Sequence, residues 1–146
     1  MTHHEETALH AKLVVHDADA AIGCYQAVFG AELEQRYTAG DQVVFAELRM
    51  LGTAVQLKDE DEHDPSPRTL GRPGVLLDVV TDDPDAVAAR MEQAGGEVLF
   101  PVTQQPYGPR QGRVRDPFGH EWLVGTPLTT PPEQIQAALD RYVEGQ

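Results

Sequence analysis

The sequence has one cysteine, few basic residues and no long apolar run, and each shortage excludes a class of protein. Cys24 alone cannot form an internal disulfide. No run approaches the roughly 20 apolar residues that a membrane helix needs. Eleven basic against twenty-four acidic residues give a formal net charge of −13. That balance argues against nucleic acid, whose phosphates need basic patches, and against an anionic membrane surface.

Signals for export and for common catalytic motifs are also missing. The first residues, MTHHEET, lack the basic-then-apolar pattern of a secretion signal, so we expect a cytoplasmic protein. Neither a Ser/His/Asp triad nor a phosphate-binding glycine loop is legible. Cys24 lies among apolar neighbours at helical spacing, which favours a core position over a nucleophile.

The chain contains an internal repeat. Leu9 to Gly30 and Gly74 to Gly96 each read as a strand, an Asp cap, a helix and a Gly stop, and each is followed by three strand-like runs. The pattern predicts a single domain of two βαβββ modules, with these bounds: module 1, 8–58; an acidic, Pro-rich linker, 59–73; module 2, 74–126; a C-terminal helix, 130–144.

The stretch from Tyr107 to Val124, YGPRQGRVRDPFGHEWLV, is typical of a hairpin that closes the second module. Arg113 to Arg115 alternates polar and apolar side chains, and Glu121 to Val124 is the return strand. Asp116 to Gly119 has the residue types of a turn, in which Asp serves its own backbone. We therefore expect structural roles for Asp116 and His120.

The motifs AIGCYQAVFGAE and GRVRDPFGHEW resemble the vicinal oxygen chelate superfamily, most closely its PhnB-like branch. That superfamily includes glyoxalase I, ring-cleaving dioxygenases, and fosfomycin and bleomycin resistance proteins. The resemblance implies an α+β fold in which the two modules form a curved, eight-stranded mixed sheet that encloses a cleft. It covers nearly the whole chain, but this fold hosts many chemistries, so it does not name a reaction.

Strand alternation divides the side chains between a core face and an open face. The predicted core comprises Leu9, Ala11, Leu13, Val15, Val44, Ala46, Leu48, Met50, Val55, Leu57, Val75, Leu77, Val79, Val114 and Trp122. Alternation alone makes the open face a solvent face, whereas the resemblance makes it the wall of a ligand pocket. The predicted ligand-binding residues on that face are His10, Lys12, Phe45, Glu47, Arg49, Gln56, Leu76, Asp78, Arg113, Arg115, Glu121 and Leu123.

The resemblance also implies four positions for divalent-metal ligands, which fall here on His10, Gln56, Leu76 and Leu123. His10 is a competent ligand and Gln56 offers a neutral oxygen, but leucine has no donor atom. We therefore expect no metal or other cofactor. If a metal were bound, a shifted set of His10, Gln56 and Glu121 would hold it.

Three functions remain open. The first is a metal-free protein that sequesters a drug or metabolite, as resistance-type members of the superfamily do. The second is a metal-dependent lyase, isomerase or dioxygenase with an unusual ligand set. The third is a metal-free catalyst that uses His10 or an open-face carboxylate as a general base. The absent ligand positions favour the first, with an unidentified small molecule as the partner.

The last helix predicts self-association. Thr130 and Glu133 have the spacing of a capping box. An apolar stripe follows, made of Ile135, Ala138, Leu139 and Tyr142. This stripe and the open edges of the sheets lead us to expect a homodimer.

Overall fold

The computed structural model describes residues 7–145 and divides the chain into two compact units, residues 1–66 and 67–146. Residues 1–6, on which the cytoplasmic expectation largely rests, lie outside the described range. Each unit contains one βαβββ module, and the second also contains the C-terminal helix. The predicted α+β fold of tandem modules is confirmed. Within residues 7–145, no helix is both long and apolar enough to span a bilayer.

Each module forms a four-stranded mixed sheet. The strand orders are β1-β4-β3-β2 and β5-β8-β7-β6, so the first and last strands of a module are neighbours. Those neighbours pair in parallel, and the other pairs are antiparallel. The first module consists of β1 Lys12–Val15, α1 Ala18–Phe29, β2 Glu32–Ala39, β3 Gln42–Met50 and β4 Thr53–Asp59. The second unit consists of α2 Pro67–Leu70, β5 Leu76–Val80, α3 Pro84–Gln93, β6 Glu97–Gln104, β7 Arg110–Arg115, β8 Glu121–Gly125 and α4 Pro132–Glu144.

The long helix of each module begins at the aspartate that the sequence predicts. The side chain of Asp17 accepts a hydrogen bond from Ala20 N at 3.1 Å, and that of Asp83 accepts one from Ala86 N at 3.1 Å. Such caps satisfy backbone donors that the first helical turn leaves unpaired. Gly30 ends α1 with φ 66°, a conformation that glycine adopts without strain.

A second aspartate, in the first turn of each helix, is bound by an arginine from the sheet. Arg36 of β2 makes two hydrogen bonds to Asp19, at 2.8 and 2.9 Å. Arg110 of β7 makes two to Asp85, at 2.7 and 2.8 Å. The arginine's hydrogen bond lowers the pKa of each aspartate below its ordinary value. Both helices are thus linked to their sheets by an arginine, although the two arginines lie on strands that do not correspond: β2 is the second strand of its module and β7 is the third of its own.

Three core assignments in the first module are wrong. Leu9 is 96% exposed and Ala11 is also exposed, because β1 begins only at Lys12. Val44 is exposed and Val43 is buried instead. The cause is a bulge in β3: the pairing with β2 shifts at this point and leaves Val44 as the extra residue. From Ala46 onward the predicted alternation holds.

Three further expectations, for the start of β5, the linker and the start of α4, differ from the structure. Val75 is exposed because β5 begins one residue later. The linker predicted over 59–73 is only partly a loop, since Asp59 belongs to β4 and Pro67–Leu70 forms a short helix. The capping box is absent, because Pro131 occupies the N-cap of α4 and makes no side-chain cap bond.

Candidate functional site

The open face of the first sheet holds a chain of polar side chains that runs from β2 across β3 and β4 to His10, which precedes β1. Tyr37 Oη donates to Gln35 Oε1 at 3.0 Å, and Gln35 Nε2 donates to Glu47 Oε2 at 3.3 Å. Gln56 Nε2 lies 3.4 Å from Glu47 Oε1 and 3.1 Å from His10 Nδ1. If Gln56 donates, the proton of a neutral His10 ring must be on Nε2. Three predicted residues, His10, Glu47 and Gln56, are thereby brought together.

Aromatic rings lie beside this chain. The rings of Tyr37 and Phe45 stack with centroids 6.0 Å apart, and Lys12 Nζ lies 5.0 Å from the centroid of Phe45. That distance is within the range of a cation–π contact. Arg49 pairs instead with Glu34, at 3.2 Å, on the exposed surface. Lys12 and Phe45 therefore join the predicted group, while Arg49 is engaged with β2.

The open face of the second sheet is dominated by ion pairs. Glu121, whose side chain is 14% exposed, lies 3.4 Å from both Arg113 Nη1 and Arg115 Nη2. Arg115 also pairs with Glu97. Predicted residues Arg113, Arg115 and Glu121 are thus in contact, as residues on one face of paired antiparallel strands should be.

Arg113 also borders a cavity of about 320 Å³ in the second unit. Its guanidinium carbon lies 5.5 Å from the centre of the Phe100 ring, and Leu123 forms another part of the lining. Arg113 Nε is buried and has no hydrogen-bond acceptor among residues 7–145. The cavity therefore combines the apolar side chains of Phe100, Pro101 and Leu123 with several polar ones, a combination typical of small-molecule sites. The polar residues of the wall are Thr103, Gln105, Gln111 and Arg113.

Leu76 and Leu123 occupy positions in the second sheet that correspond to those of His10 and Gln56 in the first. Gln56 pairs with the residue two places after His10, and Leu123 pairs with the residue two places after Leu76. The strand register therefore gives the same correspondence as the alignment of the two modules in sequence: Leu76 corresponds to His10, and Leu123 corresponds to Gln56. Asp78 and Leu76 are exposed on β5.

These side chains do not fit a glyoxalase-type metal centre. Leu76 and Leu123 have no donor atom, and Gln56 and His10 are already in contact with each other. Among the described residues, no group of three or more His, Cys, Asp or Glu side chains has an arrangement that could hold a metal ion. A chelating site needs several converging, charge-neutralising ligands.

Asp116 holds the turn that positions Glu121. Its Oδ1 accepts from Phe118 N at 2.9 Å and His120 N at 3.0 Å, and its Oδ2 accepts from Trp122 Nε1 at 2.9 Å. The residue is 2% exposed. The three donors explain why a carboxylate is buried here, because a buried charge needs full hydrogen bonding. The structural role predicted for Asp116 agrees with these contacts.

Sequence reasoning missed Gln35, Tyr37 and Phe100. Gln35 and Tyr37 share an alternation on β2, but the apolar pattern of this fully exposed edge strand is too weak to assign its faces. Phe100 is 60% exposed next to Pro101 on the other edge strand, β6. In the sequence, the signal for Phe100 was an aromatic residue next to a proline that interrupts the strand pattern.

Residues 7–124 match the family model of the Glyoxalase/Bleomycin resistance protein/Dioxygenase superfamily. The chain belongs to this superfamily. It is also similar to an uncharacterized protein of Mycobacterium bovis, with 35% identity over 96% of this chain and 97% of the relative.

Solved structures agree with this assignment. TioX from Micromonospora sp. ML1 is 27% identical, with a TM-score of 0.64 over 83% of this chain and 96% of its own. The PhnB protein of Bacillus cereus, described as a putative 3-demethylubiquinone-9 3-methyltransferase, is 18% identical. Its TM-score is 0.65, over 83% of this chain and 100% of its own. At that identity the likeness shows the fold alone.

Proposed function

We propose that this superfamily member is a metal-free small-molecule-binding protein that sequesters its ligand on the open face of the second sheet. The observation that supports this most is the cavity of about 320 Å³ lined by Phe100, Arg113 and Leu123. Its volume lies at the lower end of the usual range for ligand sites, about 300–1,000 Å³. Two of these three residues were predicted ligand contacts.

The lining favours an uncharged ligand with one hydrogen-bond acceptor. Arg113 is the only ionisable group among the residues of the cavity wall, and Glu121 already balances its charge. Its buried Nε has no acceptor within residues 7–145, and leaving such a donor unsatisfied costs about 1–3 kcal/mol. A ligand carbonyl oxygen would remove that penalty once a rotation of the Arg113 side chain turns Nε toward the cavity, while the ring of Phe100 would contact an apolar body.

The size of the cavity limits the ligand further. Its volume corresponds to about ten water molecules at the density of the liquid, enough for a single aromatic ring and its substituent. The superfamily name includes bleomycin resistance proteins, which supports a sequestering role for this chain. In that role the protein binds its compound stoichiometrically and releases it unchanged.

Three matched probes test this proposal: acetophenone, benzamide and toluene, titrated into the full chain by calorimetry. The first two present a carbonyl oxygen and toluene does not, so we expect both to bind at least tenfold more tightly than toluene. Arg113→Met should remove that preference, whereas the control Arg141→Met, on exposed α4, should keep it. Equal affinity for all three probes, or an unaltered preference in Arg113→Met, would contradict the proposal.

We also propose that the protein has no resident metal. The donor set of His10 and Gln56 lacks the carboxylates that neutralise a divalent ion. Elemental analysis of untagged protein, purified without chelator, should find far less than one Zn, Ni, Mn or Fe per chain. Near-unit metal that disappears in His10→Ala would favour the metal-dependent lyase, isomerase or dioxygenase instead.

Finally, we propose a homodimer. In α4 only Ala138 is buried, while Leu139, Tyr142 and Val143 are exposed, and the edge strand β2 is exposed along its whole length. Such surfaces favour association. Sedimentation at micromolar concentration should give a dimer that Tyr142→Asp weakens and Gln134→Asp does not. A monomeric parent protein would exclude this assembly.

A further inference from the structure

We propose a second binding site, for a small organic oxyanion, in a larger cavity of the second unit. This cavity measures about 550 Å³ and lies between residues 67–73 and the turn that begins at Asp116. Three arginines line it: Arg68, Arg72 and Arg115. It shares no lining residue with the smaller cavity, and its ligand class differs, so this site goes beyond the proposed function.

The arginines are unusual in so acidic a chain. Only eleven of the 146 residues are basic, against twenty-four acidic ones, yet three of the eleven line this one cavity. Arg115 is paired with Glu97 and Glu121. Arg68 and Arg72 have no carboxylate partner among residues 7–145. Both residues are exposed, so their guanidinium groups are accessible to an acceptor that a ligand supplies.

The three acidic residues of the wall, Glu97, Asp116 and Glu121, contact other groups than Arg68 and Arg72. Asp116 already accepts three hydrogen bonds, from Phe118 N, His120 N and Trp122 Nε1. Glu97 and Glu121 are both in ion pairs with Arg115. The wall is formally neutral, with three arginines and three carboxylates, and its two cations without a carboxylate partner among the described residues are Arg68 and Arg72.

The rest of the wall sets the kind of anion. Gly119 has φ 93°, and an added Cβ there would lie 3.0 Å from Pro67 Cβ, so the turn is seated closely against the 67–73 segment. Gly119 N donates to Asp116 O at 3.1 Å, which leaves the guanidinium groups as donors for the ligand. Guanidinium groups bind carboxylate and phosphate oxygens in a bidentate manner. Pro67 and Pro117 add apolar surface, so the site fits an oxyanion attached to a small apolar body.

Phenyl phosphate, benzoate and phenol test this site, because they share a ring and differ in the charged group. The full-length protein is titrated with each, and backbone amide shifts in NMR spectra report the location. We expect phenyl phosphate or benzoate to shift the amides of Gly96 and Gly119, with an affinity at least tenfold above that of phenol. Arg68→Gln and Arg72→Gln should each weaken anion binding by about tenfold, while Arg141→Gln, with the same loss of charge, should not.

Each outcome decides the matter. Binding of phenyl phosphate alone assigns the site to phosphate esters, binding of benzoate alone to carboxylates, and binding of both to oxyanions generally. Equal binding of phenol, or unchanged affinity in both arginine variants with unaltered melting temperatures, would overturn the proposal. The amide shifts distinguish the two cavities: anion-induced shifts centred on Gly112, Arg113 and Leu123 would place the anion in the smaller cavity instead.

Discussion

The two modules have the same scaffold and different open faces. Both place the first strand parallel to the last, cap the long helix with an aspartate and tie that helix to the sheet with a bidentate arginine. The first open face presents exposed amide, imidazole and aromatic groups around Gln56 and Phe45. The second presents Arg–Glu pairs and a cavity beside Leu123.

This difference separates the residues that maintain the repeat from those that set its function. Core alternation and helix caps recur because each module must bury one helix on one sheet. The open faces are free of that requirement and have diverged. The scaffold constrains the core and cap residues of both modules but leaves the open faces unconstrained. One module can therefore form a binding site while the other does not.

The largest expected difference concerns two aspartates that hold the modules. Asp116 is buried and accepts three hydrogen bonds, whereas Asp59 is partly buried and accepts two, from Ala18 N and Val43 N, both at 2.7 Å. Asp116→Ala should lower the free energy of unfolding by about 3 kcal/mol and Asp59→Ala by about 1.5 kcal/mol. Urea unfolding measures both.

Asp82→Ala serves as the control for that experiment, because this exposed aspartate should change stability by less than about 0.5 kcal/mol. A smaller loss at Asp116 than at Asp59 would mean that the hydrogen-bonded turn is not the main support of the second module.

The hairpin turns give the next comparison. Gly52, in the turn between β3 and β4, has φ 77° and open space around its Cα, whereas Gly119 has φ 93° and faces Pro67. Gly52→Ala should cost about 1 kcal/mol through backbone strain alone. Gly119→Ala should cost about 2 kcal/mol or more, since the new methyl group also meets Pro67. Equal losses in thermal unfolding would show that the 67–73 segment yields easily.

The ion pairs Arg36–Asp19 and Arg110–Asp85 should make similar contributions to the free energy of unfolding. Arg36→Gln and Arg110→Gln each remove a bidentate, solvent-exposed contact to a helix N-terminal aspartate. We expect both to lower the free energy of unfolding by about 0.5 kcal/mol and by the same amount within error. A loss in only one variant would show that the repeat is not symmetric in energy.

The smallest expected effect is the loss of the stabilising contact between Lys58 and Asp61 at low pH. Hydrogen bonds from Lys58 and from backbone amides lower the pKa of Asp61 to about 2, from an ordinary 3.8. Because the folded-state pKa is the lower one, the contact stabilises the loop above pH 3.8, and that contribution is lost as the pH falls toward 2. Carboxyl carbon shifts in NMR spectra should show Asp61 titrating below its ordinary pKa of 3.8, and Lys58→Gln should raise the Asp61 midpoint. An ordinary Asp61 midpoint in the parent protein would exclude the contact.

The sequence was sufficient for the elements because the signals that define them are local. Asp17, Gly30 and Asp83 mark helix ends by their own backbone chemistry. The bulge at Val44 was not predictable, because it arises from pairing with β2 and not from the residue itself. Likewise, nothing local shows that Leu9 precedes the first strand.

The candidate site was less predictable for the same reason. Alternation placed Arg113, Arg115 and Glu121 on one face, and the structure brings them into contact. Tertiary distances decide that Arg115 pairs with two carboxylates while Nε of Arg113 has no acceptor among residues 7–145. The larger cavity depends on how residues 67–73 fold against the Asp116 turn, and the composition of that segment suggested only a loop.

Mapping of a bound carbonyl probe onto the backbone tests the central claim most directly. In a nitrogen-edited NMR titration with acetophenone and no added metal, we expect the largest amide shifts at Gly112, Arg113 and Leu123. These shifts should be lost in Arg113→Met. The amides of Gln56 and Leu57 should remain in place. Shifts centred on Gln56 and His10, or shifts that require a divalent ion, would contradict the assignment of binding to the second module.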